Sequence, residues 1–177
     1  MTKEVLQGST NHFGPRKTEV DSPVDIPVAG LVRTIALPIY TVAGSLLLNV
    51  APSITDTINL IPASSFIKSA SIYVEDAFTS TAAATGIDVG LVKASDGTTE
   101  IDLNGLIAVG GVGAKANLTA LSWDAGDGAL IGAENTAFDA MIYAKWATGG
   151  ASDTLTGTGV IVVEYIPPLT HLLGDKT

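Results

Sequence analysis

The chain contains two histidines, and histidine is the side chain that most often takes a proton from a nucleophile near neutral pH. His12 lies in a polar N-terminal segment, and His171 lies beyond two consecutive prolines near the C-terminus. Catalysis of the Ser-His-acid kind needs a histidine that the surrounding structure holds beside the serine. Chain termini are the least ordered parts of most domains. The positions of both histidines therefore argue against nucleophilic catalysis.

Paired carboxylates are a second chemistry to consider, because two acids about 5–10 Å apart can cleave a glycosidic bond. The nominal candidates are Asp76, Asp88, Asp124 and Asp139. Sequence spacing alone does not bring any two of them together. A sugar site would also need aromatic platforms, and the tryptophans are Trp123 and Trp146. Trp146 has the parity of the apolar residues around it, which favours a place in the core over a sugar platform.

Several loops resemble binding motifs without completing them. Residues 96–102, DGTTEID, have acids at the short spacing of a calcium loop but lack its full set of ligands and its central glycine. We interpret the Asp-Gly pairs at 96–97 and 127–128 as turns. Residues 110–116, GGVGAKA, do not have the spacing of a phosphate-binding loop. We therefore expect no metal, no cofactor and no enzymatic activity.

Composition narrows the class of protein further. The 177 residues include 18 acidic and 9 basic side chains, giving a net charge of −9, and no cysteine. This charge repels nucleic-acid phosphates, and no basic patch with interleaved aromatic residues is present, so we expect no nucleic-acid partner. The longest uncharged run, residues 34–55, contains prolines and polar residues, and no signal peptide is visible at the N-terminus. We therefore expect a soluble protein with no membrane partner.

Residues 137–168 carry the clearest strand patterns. Five residues of one parity are mostly small or apolar: Phe138, Ala140, Ile142, Ala144 and Trp146. This alternation is typical of a strand with one buried face. Residues 159–166 are mostly β-branched or aromatic and stop at two prolines, which cannot continue a hydrogen-bonded ladder. The two runs predict a hairpin of long strands joined by a flexible Gly- and Ser-rich tip.

Shorter strand patterns precede this pair. They cover residues 30–39, 41–50, 57–61, 66–78 and 85–94. Residues 101–114 are ambiguous: Leu103, Leu106 and Ile107 have helical spacing, but the glycines among them would weaken a helix by about 1 kcal/mol each, so we expect a short helix or a loop. Strands about ten residues apart with turns between them, and no alternating helices, predict an antiparallel sheet. The fold class predicted is all-β, an antiparallel β-sandwich of the jelly-roll kind.

The sequence divides into three parts. They are an extended N-terminal arm at 1–29, a β-sandwich domain at 30–168 and a C-terminal tail at 169–177. The arm is polar and rich in proline, and its low apolar content leaves it unable to order itself by burial. One interpretation is a frayed terminus. The other is an arm that becomes ordered on a partner, with Phe13 as its apolar anchor and Arg16 and Lys17 as its charges.

Four segments together suggest a family. They are PASSFIKSASIYVEDAF at 62–78, TSTAAATGIDVGLVKASDGTTE at 79–100, GALIG at 128–132 and VIVVEYIPP at 160–168. Their succession resembles virion structural proteins of tailed bacteriophages, in particular the small β-sandwich proteins that decorate or cement the capsid. The resemblance covers roughly residues 30–168 and contains no catalytic motif. It implies a jelly-roll-like subunit, usually a homotrimer, on the outer surface of the virion. Its partner there would be the major capsid protein shell.

Three hypotheses about function follow. The first is a capsid decoration protein that stabilises the shell, with Phe13, Arg16 and Lys17 as its capsid-contact residues. The second is a receptor- or glycan-binding module of a phage tail or fibre, which exposed side chains at Trp123, Tyr143 and Trp146 would favour. The third is a hydrolase built on a β-sandwich, which would require a clustered pair of acids in a cleft.

Overall fold

The computed structural model describes residues 31–41, 60–81, 85–114, 116–135, 137–147 and 154–168. The predicted arm, the predicted tail and most of the predicted strand at 41–50 lie outside these residues. Eight strands form the secondary structure of the described part: β1 (Arg33–Tyr40), β2 (Leu60–Ile61), β3 (Phe66–Ser80), β4 (Gly86–Lys93), β5 (Glu100–Ile107), β6 (Ser122–Ala125), β7 (Ala140–Ala147) and β8 (Leu155–Ile166). In these residues no helix is long and apolar enough to cross a membrane.

The strands form two sheets of four. One, called here the β1 sheet, has the order β1-β8-β3-β6, and the other, the β4 sheet, has the order β2-β7-β4-β5. Every pairing between neighbouring strands is antiparallel. Buried side chains of both sheets belong to one hydrophobic core. The prediction of an all-β antiparallel sandwich is confirmed.

Buried and more exposed side chains alternate along several strands, and the buried ones form the core. In β1, Ile35, Leu37 and Ile39 are buried while the residues between them are exposed. Pro38 is tolerated there because β1 is an edge strand, where a missing N–H costs little. The sheets meet where the ring of Phe78 in β3 packs edge-on against Trp146 in β7, with 5.8 Å between ring centroids. Trp146 is 1% exposed, so the prediction that it belongs to the core is confirmed.

The long strand β3 departs from regular alternation. Its register against β8 shifts between Ile67 and Ser69, and again around Asp76. Each shift inserts residues that have no directly opposite partner, which changes the parity of the side chains that follow. As a result Ile67 faces the core together with Ile72, although a regular strand would send these two residues to opposite faces. The two shifts around Asp76 offset each other, so Phe78 keeps the parity of Ile72 and is also buried.

The predicted hairpin at 137–168 is wrong. Both strands exist, but β7 pairs with β2 and β4 while β8 pairs with β1 and β3. They therefore lie in opposite sheets, each between two other strands. Alternation specifies which side chains face a core, and that core can be shared by strands that are not hydrogen-bonded to each other. The middle of the predicted flexible tip, residues 148–153, lies outside the described part.

The predicted helix or loop at 101–114 is also wrong in its first half, which is β5. The helical spacing has a different cause: β5 is irregularly paired with β4, with Val89 opposite Ile107 but Leu91 opposite Asp102. Such a bulge allows Leu106 and the residue after it to be buried side by side. Gly90 is required there, because a Cβ atom would collide with the backbone of Asp102 and Leu103.

Candidate functional site

The four aspartates that could have formed a catalytic pair are divided between the sheets. Asp76 and Asp124 belong to β3 and β6, whereas Asp88 belongs to β4 and Asp139 immediately precedes β7. Three of them accept hydrogen bonds from their own chain. Asp88 Oδ1 accepts the N–H of Val109 at 2.9 Å, Asp139 Oδ1 accepts that of Ala63 at 2.8 Å, and Asp76 Oδ2 accepts the hydroxyl of Thr158 at 3.1 Å. These carboxylates organise local structure.

A cavity of about 300 Å³ lies at the end of the β4 sheet, lined by Ala94, Ser95, Phe138 and Asp139. Its single carboxylate is the one bonded to Ala63. The ammonium of Lys93 lies 3.9 Å from the centre of the Phe138 ring. Asp139 is a single carboxylate and is already hydrogen-bonded to the backbone, whereas glycoside hydrolysis requires two acids.

Asp96 holds the turn between β4 and β5, as its Asp-Gly sequence predicts. Its Oδ1 accepts the backbone N–H groups of Thr98 at 2.8 Å and Thr99 at 2.7 Å, and Gly97 has a φ of 68°. Hydrogen bonds from the Thr99 hydroxyl and from these N–H groups hold the pKa of Asp96 well below its usual range. The acids of this segment form a turn, and the described residues contain no cluster of three or more potential metal ligands.

Asp127 fills the glycine-rich loop that follows β5. Its two carboxylate oxygens accept the N–H groups of Ala108 at 3.0 Å and Val112 at 2.9 Å. Gly111 lies so close that a Cβ atom at this position would overlap the carboxylate. Backbone N–H groups in such loops can bind phosphate, but here they already bind an anion of the chain itself. The turn predicted at 127–128 spans residues 128–131, where the N–H of Ile131 donates to the carbonyl of Gly128.

The most distinctive surface is the side of the β1 sheet that faces away from the core, called here the outer face. Cross-strand pairing aligns two central rows of side chains on it. One row consists of Pro38, Val160, Tyr73 and Trp123, and the other of Ala36, Val162, Ser71 and Ala125. Six of these eight residues are aliphatic, proline or tryptophan. None of the eight is charged.

Trp123 is the most prominent side chain of this face. It is 60% exposed, and its ring lies 6.0 Å from that of Tyr73 on the neighbouring strand, at an angle of 38°. Tyr40 at the end of β1 and Phe66 at the start of β3 are also large and exposed. Directly opposed aromatic residues on neighbouring strands stabilise each other, so Tyr73 holds Trp123 in place while most of its ring stays open to solvent.

Leu121 immediately precedes β6, the edge strand of this sheet. It is 76% exposed and has a φ of 60°, the left-handed conformation that leucine adopts at a cost. Its N–H donates to the carbonyl of Val74 at 2.8 Å, which fixes this backbone against β3. An exposed leucine in a strained conformation contributes little to folding.

Charged groups lie at the two ends of the outer face. At one end Lys68 Nζ is 2.8 Å from Glu164 Oε2, which also accepts the Ser69 hydroxyl at 2.9 Å. These hydrogen bonds lower the pKa of Glu164, and the bond from Lys68 has the larger effect. At the other end lie Asp76, in register with Thr158, and the exposed Glu75 beside it. Within the described residues the only ion pair is that of Lys68 and Glu164. The charge of Lys68 is therefore neutralised, whereas the end of the outer face at Asp76 is acidic.

No protein-family model matches the sequence, and no curated protein matches it. Two solved structures do resemble the fold. A chain in the capsid of Ralstonia phage GP4 aligns with a TM-score of 0.50 at 16% identity, over 77% of this chain and 83% of that one. A chain in the capsid asymmetric unit of cyanophage Pam1 aligns with a TM-score of 0.40 at 16% identity, over 76% of this chain and 86% of that one. The fold is one found in a phage capsid.

The residues predicted to contact a capsid, Phe13, Arg16 and Lys17, lie outside the described part of the chain, so that prediction is untested. Both histidines lie outside it as well. Of the three aromatic residues proposed as a glycan platform, Trp123 is exposed, Tyr143 is intermediate and Trp146 is buried. Sequence reasoning missed the outer face, because β6 has four residues and shows no clear alternation. The signal available was the polar setting of Trp123, between Ser122 and Asp124.

Proposed function

We propose that the chain is a structural, non-enzymatic protein of a bacteriophage virion, and that it decorates the outside of the major capsid protein shell. The proposal includes a homotrimeric state and a stabilising role. A protein that binds the assembled shell and not its free subunits stabilises the assembled state by mass action. Several weak contacts made together by symmetric copies gain strength from avidity.

The observation that supports this proposal most is the fold shared over most of both chains with a chain of the Ralstonia phage GP4 capsid. The order of strands adds support for the jelly-roll assignment. The strand orders are β1-β8-β3-β6 in one sheet and β2-β7-β4-β5 in the other. Consecutive strands therefore either lie in opposite sheets or, as for β4 and β5, are neighbours in one sheet, which is the pattern of two interlocked Greek keys. Sequence segments at 62–100 and 160–168 resemble the same class of protein.

The chemistry of the described surface also supports a binding role. Its carboxylates hold turns and loops through hydrogen bonds with their own backbone. Three of the five large exposed apolar side chains of the described residues, in contrast, lie on the outer face: Tyr40, Phe66 and Trp123. Apolar groups that no part of the fold uses are typical of protein–protein contacts.

The copy number of the chain in purified virions tests the proposal. We expect quantitative mass spectrometry to give a number that matches the symmetry of the capsid lattice, and sedimentation of the isolated protein to give a trimer. A few copies per particle would indicate a tail component. Absence from purified virions would rule out a virion protein of any kind.

A glycan-binding module of a tail or fibre is the second candidate, because Trp123 offers the flat exposed ring that sugars stack on. Binding on a glycan array that disappears with Trp123→Ala would favour this function. The neighbouring Tyr73 should be replaced separately, since removing it would disturb the orientation of Trp123 without removing its ring.

A further inference from the structure

The outer face is large enough to be an interaction surface. Its rows of facing side chains run from Phe66 and Ile166 at one end to Tyr40 and Thr158 at the other, across four strands. Strands about 4.8 Å apart and rows about 6.7 Å apart give an area on the order of 500 Å². The two central uncharged rows supply roughly half of this area, and exposed apolar patches of a few hundred Å² on monomeric proteins are often functional.

The strained backbone of Leu121, beside the outer face, also indicates an interaction surface. Leu121 keeps an unfavourable backbone conformation and exposes three quarters of its surface, although glycine at this position would avoid both. Strained residues persist where the surroundings hold them, and they cluster at binding sites. Leu121 lies two residues before Trp123, so a strained and exposed apolar residue adjoins the β6 edge of the outer face.

Charge indicates what kind of partner fits. Among the described residues, Lys68 is the basic side chain of the outer face, and it is already paired with Glu164, while Glu75 and Asp76 leave the other end acidic. Two copies packed face to face about an axis along the strands would bring these acidic ends together. An axis across the strands would bring each acidic end to a lysine that is already neutralised. With a net charge of −9 per chain as well, a second copy is a poor occupant.

We propose that the outer face, with Trp123 on its edge strand β6 and Leu121 beside it, docks on the capsid shell, on a surface that presents aliphatic side chains and a lysine or arginine opposite Asp76. This inference rests on the proposed function and names the contact through which it acts. It adds a docking surface on the folded domain to the contacts predicted for the N-terminal arm.

The area also sets the strength of the contact. A stable interface between two proteins usually buries about 800 Å² on each partner, and the outer face supplies on the order of 500 Å². One copy alone therefore binds weakly. Retention on a particle depends on several contacts acting together, whether from linked copies or from the arm of the same chain.

Co-sedimentation with shells of the encoding phage that lack this protein tests the proposal. We expect Trp123→Ala to weaken binding about tenfold or more, because tryptophans are among the residues whose truncation most weakens an interface, and Leu121→Gly to weaken it several-fold. Phe138→Ala is the matched control: Phe138 is 50% exposed and lies beside the other sheet, so binding should change less than twofold. Circular dichroism and thermal unfolding establish that each variant is folded.

Charge-reversal variants test the proposal independently of the apolar residues. Asp76→Lys should weaken binding more than Glu100→Lys, which makes the same charge change on an exposed residue of β5 in the other sheet. Equal binding by the Trp123, Leu121 and Phe138 variants would overturn the proposal, and so would a wild-type oligomer that Trp123→Ala dissociates, because the occupant would then be a second copy. If the wild-type chain itself does not bind shells, the proposed function fails and the docking surface fails with it.

Discussion

Replacing Leu121 by glycine should leave the free energy of unfolding nearly unchanged, although it removes a whole leucine side chain. A left-handed backbone costs an L-residue about 1–2 kcal/mol, which glycine avoids. Against this gain, glycine adds unfolded-state freedom worth about 0.5–1 kcal/mol. Leu121 is 76% exposed, so the lost burial is about a quarter of a full leucine, or roughly 0.5 kcal/mol. These contributions sum to within about 1 kcal/mol of zero.

Alanine at the same position separates the backbone effect from the side-chain effect. Leu121→Ala removes nearly the same side chain but keeps the Cβ atom that makes a φ of 60° unfavourable. We therefore expect the Leu121→Gly variant to be more stable than the Leu121→Ala variant by about 0.5–1 kcal/mol. Ala125→Gly is the matched control in the regular strand β6, where the ordinary preference holds and glycine should be less stable by a similar amount.

Urea denaturation followed by far-ultraviolet circular dichroism measures all four proteins, provided that the slope of the transition is the same in each. The reasoning depends on a reversal of sign: glycine should be better than alanine at 121 and worse at 125. If alanine is better at both positions, the strain at Leu121 is not real and the structural argument for a binding edge loses one of its supports. A loss of more than about 2 kcal/mol in Leu121→Gly would mean that the side chain has a packing role.

Three other perturbations test the fold and its electrostatics. Trp146→Ala should cost about 3–5 kcal/mol in urea denaturation, whereas Trp146→Phe should cost much less, because the indole N–H has no hydrogen-bond partner among the described residues; equal losses would contradict this. Gly111→Ala should cost more than 1 kcal/mol, since the new methyl group displaces the Asp127 carboxylate from two N–H groups. In the Asp127→Ala background the added methyl group should cost little, so additive losses would refute the overlap. The Lys68–Glu164 pair should stabilise the fold above about pH 4.5 and lose this effect as pH falls through the lowered pKa of Glu164. Stability of Lys68→Met should therefore approach that of wild type in acid, and a constant difference from pH 7 to pH 3 would exclude the pair as its source.

Local alternation predicted the buried sides of strands well, and it failed where pairing decides the result. The strand pattern predicted at 85–94 is β4, where the alternating Ile87, Val89 and Leu91 are all buried. The same rule led to a hairpin of β7 and β8 that does not exist, because period-2 alternation is satisfied equally by a partner in the same sheet or in the facing one. The choice depends on all eight strands together, which no local window contains.

Turns show the same division between local and distant causes. Asp96 bonds to Thr98 and Thr99, two and three residues away, so the Asp-Gly signal predicted this turn correctly. Asp127 bonds to Ala108 and Val112, 19 and 15 residues earlier. Nothing in the residues around Asp127 indicates which N–H groups it will meet, so its role in the glycine-rich loop could not be predicted.

The outer face was missed because β6 has four residues, too few for its alternation to assign Trp123 to one side of the sheet. The pairing of Trp123 with Tyr73, which itself pairs with Val160, places Trp123 on the outer face. The strain at Leu121 is likewise invisible in sequence, since it depends on a hydrogen bond to Val74 almost fifty residues earlier. Features that suit binding are the ones on which the local rules fail.

The acidity of the chain and the small apolar area of its outer face are consistent with a face that stays uncovered until it meets the shell. An exposed apolar patch of roughly 250 Å² would favour self-association through this face in a neutral protein. A charge of −9 opposes the packing of two copies through the outer face, while the acidic end near Asp76 remains attractive to a basic surface. Screening by salt should then act in opposite directions, weakening docking on a basic partner and easing self-association of free chains. A protein whose docking and self-association both weakened with salt would not fit this balance, because its apolar face would then be irrelevant to either contact.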